Sequence, residues 1–257
     1  SAEGILFAGK PILPGRMTAS MAISQAMNGT ISIDGPISLA EGRVTTSLSA
    51  KHTRDGNSHI SLETAPIQFG AENLTLGDIL PPSLLGADQA MPNVTGQIDA
   101  ALDLKYSPAG QSGTMTVNLA DIGVMDAEMG AKAINGTLRF DMAHPGATQG
   151  QQVLTGTAIA PGLPEMPSTI AFSVDDARLV HIKEATLDLF WGQFALIDTQ
   201  LYPAQGRLNV TLRLRRVNLF TALTPFRLLY TSDAADEQLC VRLGARCYFY
   251  PAHFASH

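Results

Sequence analysis

The residues of this chain that could do chemistry are six histidines, two cysteines and a few paired carboxylates. His52, His59, His144, His181, His253 and His257 are scattered, and no His-Glu-x-x-His or Cys-x-x-Cys spacing gathers metal ligands onto one turn. No Gly-x-Ser-x-Gly sets a nucleophile on a strand-to-helix elbow. Asp175-Asp176 has the proximity that acid–base catalysis needs, but it reads as an acidic turn between strands. His181, within Leu179-Val180-His181-Ile182, fits a half-buried or surface strand position better than a catalytic one. Gly110-Gln111-Ser112-Gly113 and Gly150 lack the lysine and the strand-to-helix context of a phosphate loop. The sequons at Asn28, Asn73, Asn93, Asn135 and Asn209 are explained by Asn-Gly turns and Thr-rich strands. Cys240 and Cys247 could form a metal or disulfide pair, but both lie in the last stretch. The expectation is a non-enzymatic protein with no catalytic residue, no metal site and no cofactor.

What remains is the scaffold, and it alternates with a two-residue period. In Arg207-Leu208-Asn209-Val210-Thr211-Leu212-Arg213-Leu214-Arg215 every even position is apolar and every odd one polar. Ile98, Ala100, Leu102 and Leu104 alternate in the same way with Gln97, Asp99, Asp103 and Lys105. Successive strand side chains point to opposite faces, so such runs have one apolar and one wet face. The wet face would carry Asp99, Asp103, Arg207, Thr211, Arg213 and Arg215. Charged residues make up only 16% of the 257, aromatics 6%, and the net charge is -6. No basic run exceeds Arg215-Arg216, which argues against nucleic acid as a partner. No stretch is long enough for a membrane-spanning helix, and there is no signal peptide. The opening Ser1 and the mid-chain character of Gly4-Ile5-Leu6-Phe7 read as a piece of a longer protein.

Turn signals divide the chain into roughly a dozen strands. The expected runs are Met17–Ile23, Thr30–Ile33, Val44–Ala50, Ile60–Phe69, Val94–Tyr106 and Thr114–Leu119. Thr137–Phe140, Val153–Ala160, Thr169–Val174, Leu179–Phe190, Phe194–Thr199 and Arg207–Val217 follow. Two short helices are expected at Leu76–Leu80 and Leu219–Leu223; Pro82 and Pro225 follow them at the same spacing, marking the ends of a long repeat. From about Leu228 the alternation stops. Leu229-Tyr230-Thr231-Ser232-Asp233-Ala234-Ala235-Asp236-Glu237 resembles a translated sequencing adapter. Residues 1–72 are read as an N-terminal β segment of the same sheet as the main β unit, 73–227, and 228–257 as a non-native or disordered tail. The pattern alone fits a sandwich, a β-solenoid or an open groove, the sandwich being the commoner.

From Leu74 to about Leu223 the chain resembles the YdbH-like proteins, relatives of the AsmA and TamB group of bacterial envelope proteins. The residues carrying this are Leu76-Gly77-Asp78-Ile79-Leu80-Pro81, Val94-Thr95-Gly96-Gln97-Ile98-Asp99 and Ile134-Asn135-Gly136-Thr137-Leu138-Arg139-Phe140-Asp141. Leu187-Asp188-Leu189-Phe190-Trp191-Gly192-Gln193-Phe194 adds to them, with Trp191-Gly192 where the family usually has a Gly-Gly pair. The resemblance implies an all-β fold: an elongated, twisted antiparallel sheet forming an open groove. It implies a periplasmic location, anchorage in the inner membrane through an N-terminal helix missing from this chain, and phospholipid transport to the outer membrane. Partners would be phospholipid acyl chains and an outer-membrane lipoprotein or β-barrel protein. The groove would be lined by Ile98, Leu102, Leu104, Met115, Val117, Leu119, Ile170, Phe172, Val174, Leu187, Leu189, Leu208, Val210, Leu212 and Leu214. The competing expectations are a structural or adhesive cell-surface sandwich or solenoid, and an assembly factor offering strand edges to outer-membrane proteins. Whether the apolar face is open or capped separates the first of these from a groove.

Overall fold

The computed structural model describes residues 2–7, 10–70, 73–75, 78, 92–126, 129–189, 192–202 and 207–216. Strands β1 (Ala2–Phe7), β2 (Lys10–Ala19), β3 (Ala22–Gln25), β4 (Ile31–Leu39) and β5 (Val44–His52) come first. They are followed by β6 (Ser58–Thr64), β7 (Ile67–Phe69), β8 (Asn93–Ser107), β9 (Gly110–Asp126) and β10 (Met129–Asp141). The series ends with β11 (Gln152–Ile159), β12 (Met166–Val174), β13 (Val180–Leu189), β14 (Gly192–Tyr202) and β15 (Arg207–Arg215). All fifteen belong to one sheet, and every strand pairing in it is antiparallel. The order runs from β1 to β15 almost as in the chain, β3 pairing beside β4 and β7 beside β8. The ends of this order are not joined, so the sheet is open. β6 pairs directly with β8, which carries the sheet across the boundary expected near residue 72.

Register keeps the apolar residues on one side. In an antiparallel pair, residues directly opposite each other share a face. One such row runs Ile67–Ile98–Leu119–Gly136–Leu154–Ile170–Ala185–Leu196–Leu212, from β7 to β15. A second runs Gly35–Leu48–Leu62–Leu102–Met115–Phe140. The rows that alternate with them on the reverse side are mostly polar, as in Asp34–Ser49–Ser61–Asp103–Thr114–Asp141. There Asn118 Nδ2 donates to Asp99 Oδ1 at 2.8 Å and Thr137 Oγ1 donates to Asn118 Oδ1 at 2.8 Å, a polar ladder across three strands. A one-residue slip of any strand would turn its apolar set to the wet side, so the long shared rows pin the register.

β-Bulges interrupt the ladder of the sheet. Opposite the step from Thr95↔Gly123 to Gln97↔Ala120, Gly96 alone faces Asp121 and Ile122. On β10, Lys132 and Ala133 face Gly123, and Ala133 with Ile134 faces Gly156. On β14, Asp198 and Thr199 face Val210. Asp121, Ala133 and Asp198 carry the positive φ that such extra residues adopt, at 52°, 51° and 45°. Bulges bend a strand and raise its twist, so bulges on neighbouring β9 and β10 crease the sheet along a line. Asn135 holds that crease: it accepts from the Asp121 N–H at 3.0 Å and donates to the Ala133 carbonyl at 2.8 Å.

Several expected boundaries shift for identifiable reasons. Met17–Ile23 splits at Ser20–Met21, where the Ser20 N–H donates to the Pro36 carbonyl. Pro36 is tolerated inside β4 because it lies between the stretches paired with β3 and β2, where no ladder donor is required. Ile60–Phe69 breaks at Ala65–Pro66 into β6 and β7. Asn135-Gly136 is mid-strand, at the bulge, and not a turn. Of the two expected short helices, Leu219–Leu223 lies outside the described residues, and of Leu76–Leu80 only Asp78 is described.

Candidate functional site

The best-packed part of the apolar face is one margin of it. Ala40, Val44, Phe69, Leu74 and Val94 form a buried cluster against which Leu39, Ile67, Ile98 and Val124 pack. Leu74 enters from the connection between β7 and β8, and the segment after it is tied down by Asp78. The Asp78 carboxylate accepts from the Thr75 backbone N–H at 2.8 Å and from the Thr75 hydroxyl at 2.9 Å, and it pairs with the Arg43 guanidinium at 3.1 Å. These donors, the Thr75 N–H foremost, hold the Asp78 carboxyl down at about 2, against an ordinary 3.8. A carboxyl depressed by folding stabilises the fold above its ordinary pKa, and that contribution disappears as pH falls through the folded value. Acid-induced loosening of this margin between about pH 4 and pH 2 is therefore expected, and Asp78→Asn removes it. Melting curves of the two proteins should differ at neutral pH and converge in strong acid; parallel curves at all pH values would contradict the latch.

Away from that margin no second layer among the described residues covers the face. Ile98, Leu102, Met115, Val117, Leu119, Ile170, Phe172, Val174, Leu187, Leu189 and Leu214 are half-buried on it, and Leu104 is buried. Val210 is 42% and Leu212 55% exposed. Leu208 pairs with Leu201 through its backbone, and its side chain lies outside the described set. The expected lining residues therefore share one face, but only Ile170, Leu187 and Leu212 meet in one hollow of it. That hollow, about 440 Å³, is formed by β10 to β15 and adds Ile134, Leu154, Phe194 and Leu196 to them. These four are missing from the sequence-derived set, although all four lie in runs whose alternation or family likeness the sequence shows. No charged side chain lines the hollow.

The titratable groups are turned away from it. His59 Nε2 meets Asp103 Oδ2 at 2.7 Å on the wet face, and this hydrogen bond holds the Asp103 carboxyl below its usual range. At the turn after β10, His144 Nδ1 meets Asp141 Oδ2 at 3.0 Å. The contact pushes the imidazole up and the carboxyl down. His181 Nε2 lies 3.5 Å from Asp175 Oδ2. Each is an exposed ion pair of the kind that contributes little to stability.

An open antiparallel sheet with one long apolar face, uncovered among the described residues, is the geometry that the sequence resemblance implied. The family model described as "YdbH-like: Intermembrane phospholipid transport protein YdbH" matches residues 2–220. The chain belongs to the YdbH-like family. The match begins near the start of β1 and extends beyond β15, so the whole described sheet falls within the YdbH-like region. No curated protein and no solved structure matches the chain significantly. Phospholipid transport between membranes is thus the family's function, and it sets this chain in the cell envelope. No helix among the described residues is long and apolar enough to cross a membrane.

Proposed function

We propose that this chain is the periplasmic segment of an inner-membrane-anchored bridge, and that its apolar face shields phospholipid acyl chains on their way between the inner and outer membranes. The observation that carries this is the row from Ile67 to Leu212, in register over successive strands with no second layer upon it among the described residues. A phospholipid alone in water exposes about 30 methylenes at about 0.8 kcal/mol each, on the order of 20 kcal/mol. A continuous hydrocarbon surface offsets most of that with no bond made or broken, so the transport segment is not an enzyme. Leu, Ile, Val and Met give non-directional contacts, over which a chain slides without being held by any one hydrogen bond.

A sandwich module would need a facing sheet, and the described residues form one sheet only. At the outer membrane the bridge would meet a lipoprotein or a β-barrel. Native mass spectrometry of the purified chain tests the proposal: phospholipid is expected to accompany the protein out of mild detergent. Protein that emerges free of lipid, while keeping its far-ultraviolet β signature, would refute it.

A further inference from the structure

The apolar face is not uniform, and its unevenness points to a resting place. Between strands, side chains of one row stand about 4.8 Å apart, while neighbouring rows on the same face are about 6.8 Å apart along each strand. Rows are therefore ridges and the gaps between them valleys, both running across the strands. A hydrocarbon chain fits along a valley, that is, along the long axis of the sheet. In the row Leu62–Leu102–Met115–Phe140 every strand contributes a large side chain. Between β11 and β13 the pattern changes: Gly156 and Ser168 face each other, and Ala185 lies opposite Ile170. The small side chains lower the floor while Ile134, Leu154, Leu187 and Phe194 keep the walls high. The result is the 440 Å³ hollow.

We infer that this hollow is a discrete seat for one phospholipid acyl chain, lying across β10 to β15, at which a moving lipid pauses. The inference rests on the groove reading and adds a place and an orientation to it. Five inter-strand gaps give the hollow a length of about 24 Å. One acyl chain reaches through half of a hydrocarbon core about 30 Å thick, or about 15 Å. The seat thus takes a whole chain lengthwise. Its uncharged lining requires that the headgroup stay outside.

The test places a photoreactive phenylalanine analogue at Leu187, inside the seat, or at Leu102, on the same face outside it. Each protein is incubated with dioleoyl-phosphatidylcholine vesicles, irradiated, and its lipid adducts are weighed. A severalfold higher adduct yield at Leu187 than at Leu102 is expected. Ser168→Phe, which raises the floor, should bring the Leu187 yield down to the Leu102 level and leave the Leu102 yield unchanged; circular dichroism checks that it folds. Equal yields at both positions, or a Leu187 yield indifferent to Ser168→Phe, overturn the seat and leave the groove standing. No adduct at either position overturns both.

Discussion

Val117→Asp combined with Leu212→Asp is expected to stop phospholipid transfer while leaving the sheet folded. Val117 lies between Ala100 and Leu138, and Leu212 beside Leu196, all on the apolar face. With no lipid present the new carboxylates stay hydrated: Leu212 is already 55% exposed and Val117 is half-buried. When a hydrocarbon chain slides past, each must lose water to an apolar neighbour. Even a partial penalty of about 4 kcal/mol slows passage roughly a thousandfold. Two sites are needed because the face is several rows wide, and a lipid can drift round a single obstacle. The matched control moves both charges by one residue, to Thr116→Asp and Thr211→Asp. These positions pair with Ala101 and Arg139, and with Ile197, on the reverse side. Transfer of labelled phospholipid from donor to acceptor vesicles, by the protein that carries this chain, should fail for the first pair and persist for the second. Equal transfer by both pairs would show that the face does not carry lipid.

The alternation read from the sequence located this face because the face has one period over most of its area. It lost the trail where the period slips. On β9 the apolar positions are Met115, Val117 and Leu119, and then, beyond the Asp121 bulge, Ile122 and Val124, which pair with Ile134 and Val94. The phase changes from odd to even within one strand, so a strand expected to end at Leu119 continues to Asp126. The same occurs on β13, where Val180 and Ile182 give way to Ala185 and Leu187. Turn chemistry misled at Asn135-Gly136 for a related reason. Asparagine and glycine suit a tight turn, but here the side chain of the first satisfies bulge backbone and the second lies opposite Leu154. The hollow was the least legible part. Its depth depends on which small residues oppose one another across β11 and β12, and that is a matter of register. A linear sequence displays alternation along a strand but not the pairing between strands.

Gly96→Val is expected to be among the most damaging single substitutions on the described sheet. Gly96 has φ +99°, a region that a β-branched residue all but never occupies. It is also the lone residue opposing the Asp121–Ile122 bulge, and a Cβ there would lie 2.4 Å from the Asp121 carbonyl oxygen and 2.8 Å from the Ile122 Cα. Both are backbone atoms of the paired strand and cannot rotate away, so relief requires β8 and β9 to separate. Phe69 pairs with Gly96, and Val94 lies two residues before it, so the buried margin opens with them. Strain at such a φ together with a backbone clash places the loss at about 3 kcal/mol or more. For a domain of this size that is a fall in melting temperature of roughly 6–12 °C. Gly150→Ala separates the two contributions. Gly150 also has a positive φ, +71°, but an added Cβ would meet nothing within 4 Å. Its loss should be only about 1 kcal/mol, from the backbone conformation alone. Thermal denaturation followed by far-ultraviolet circular dichroism ranks the two. If Gly96→Val melts with the parent protein, the bulge at Asp121 is not a fixed feature of the sheet.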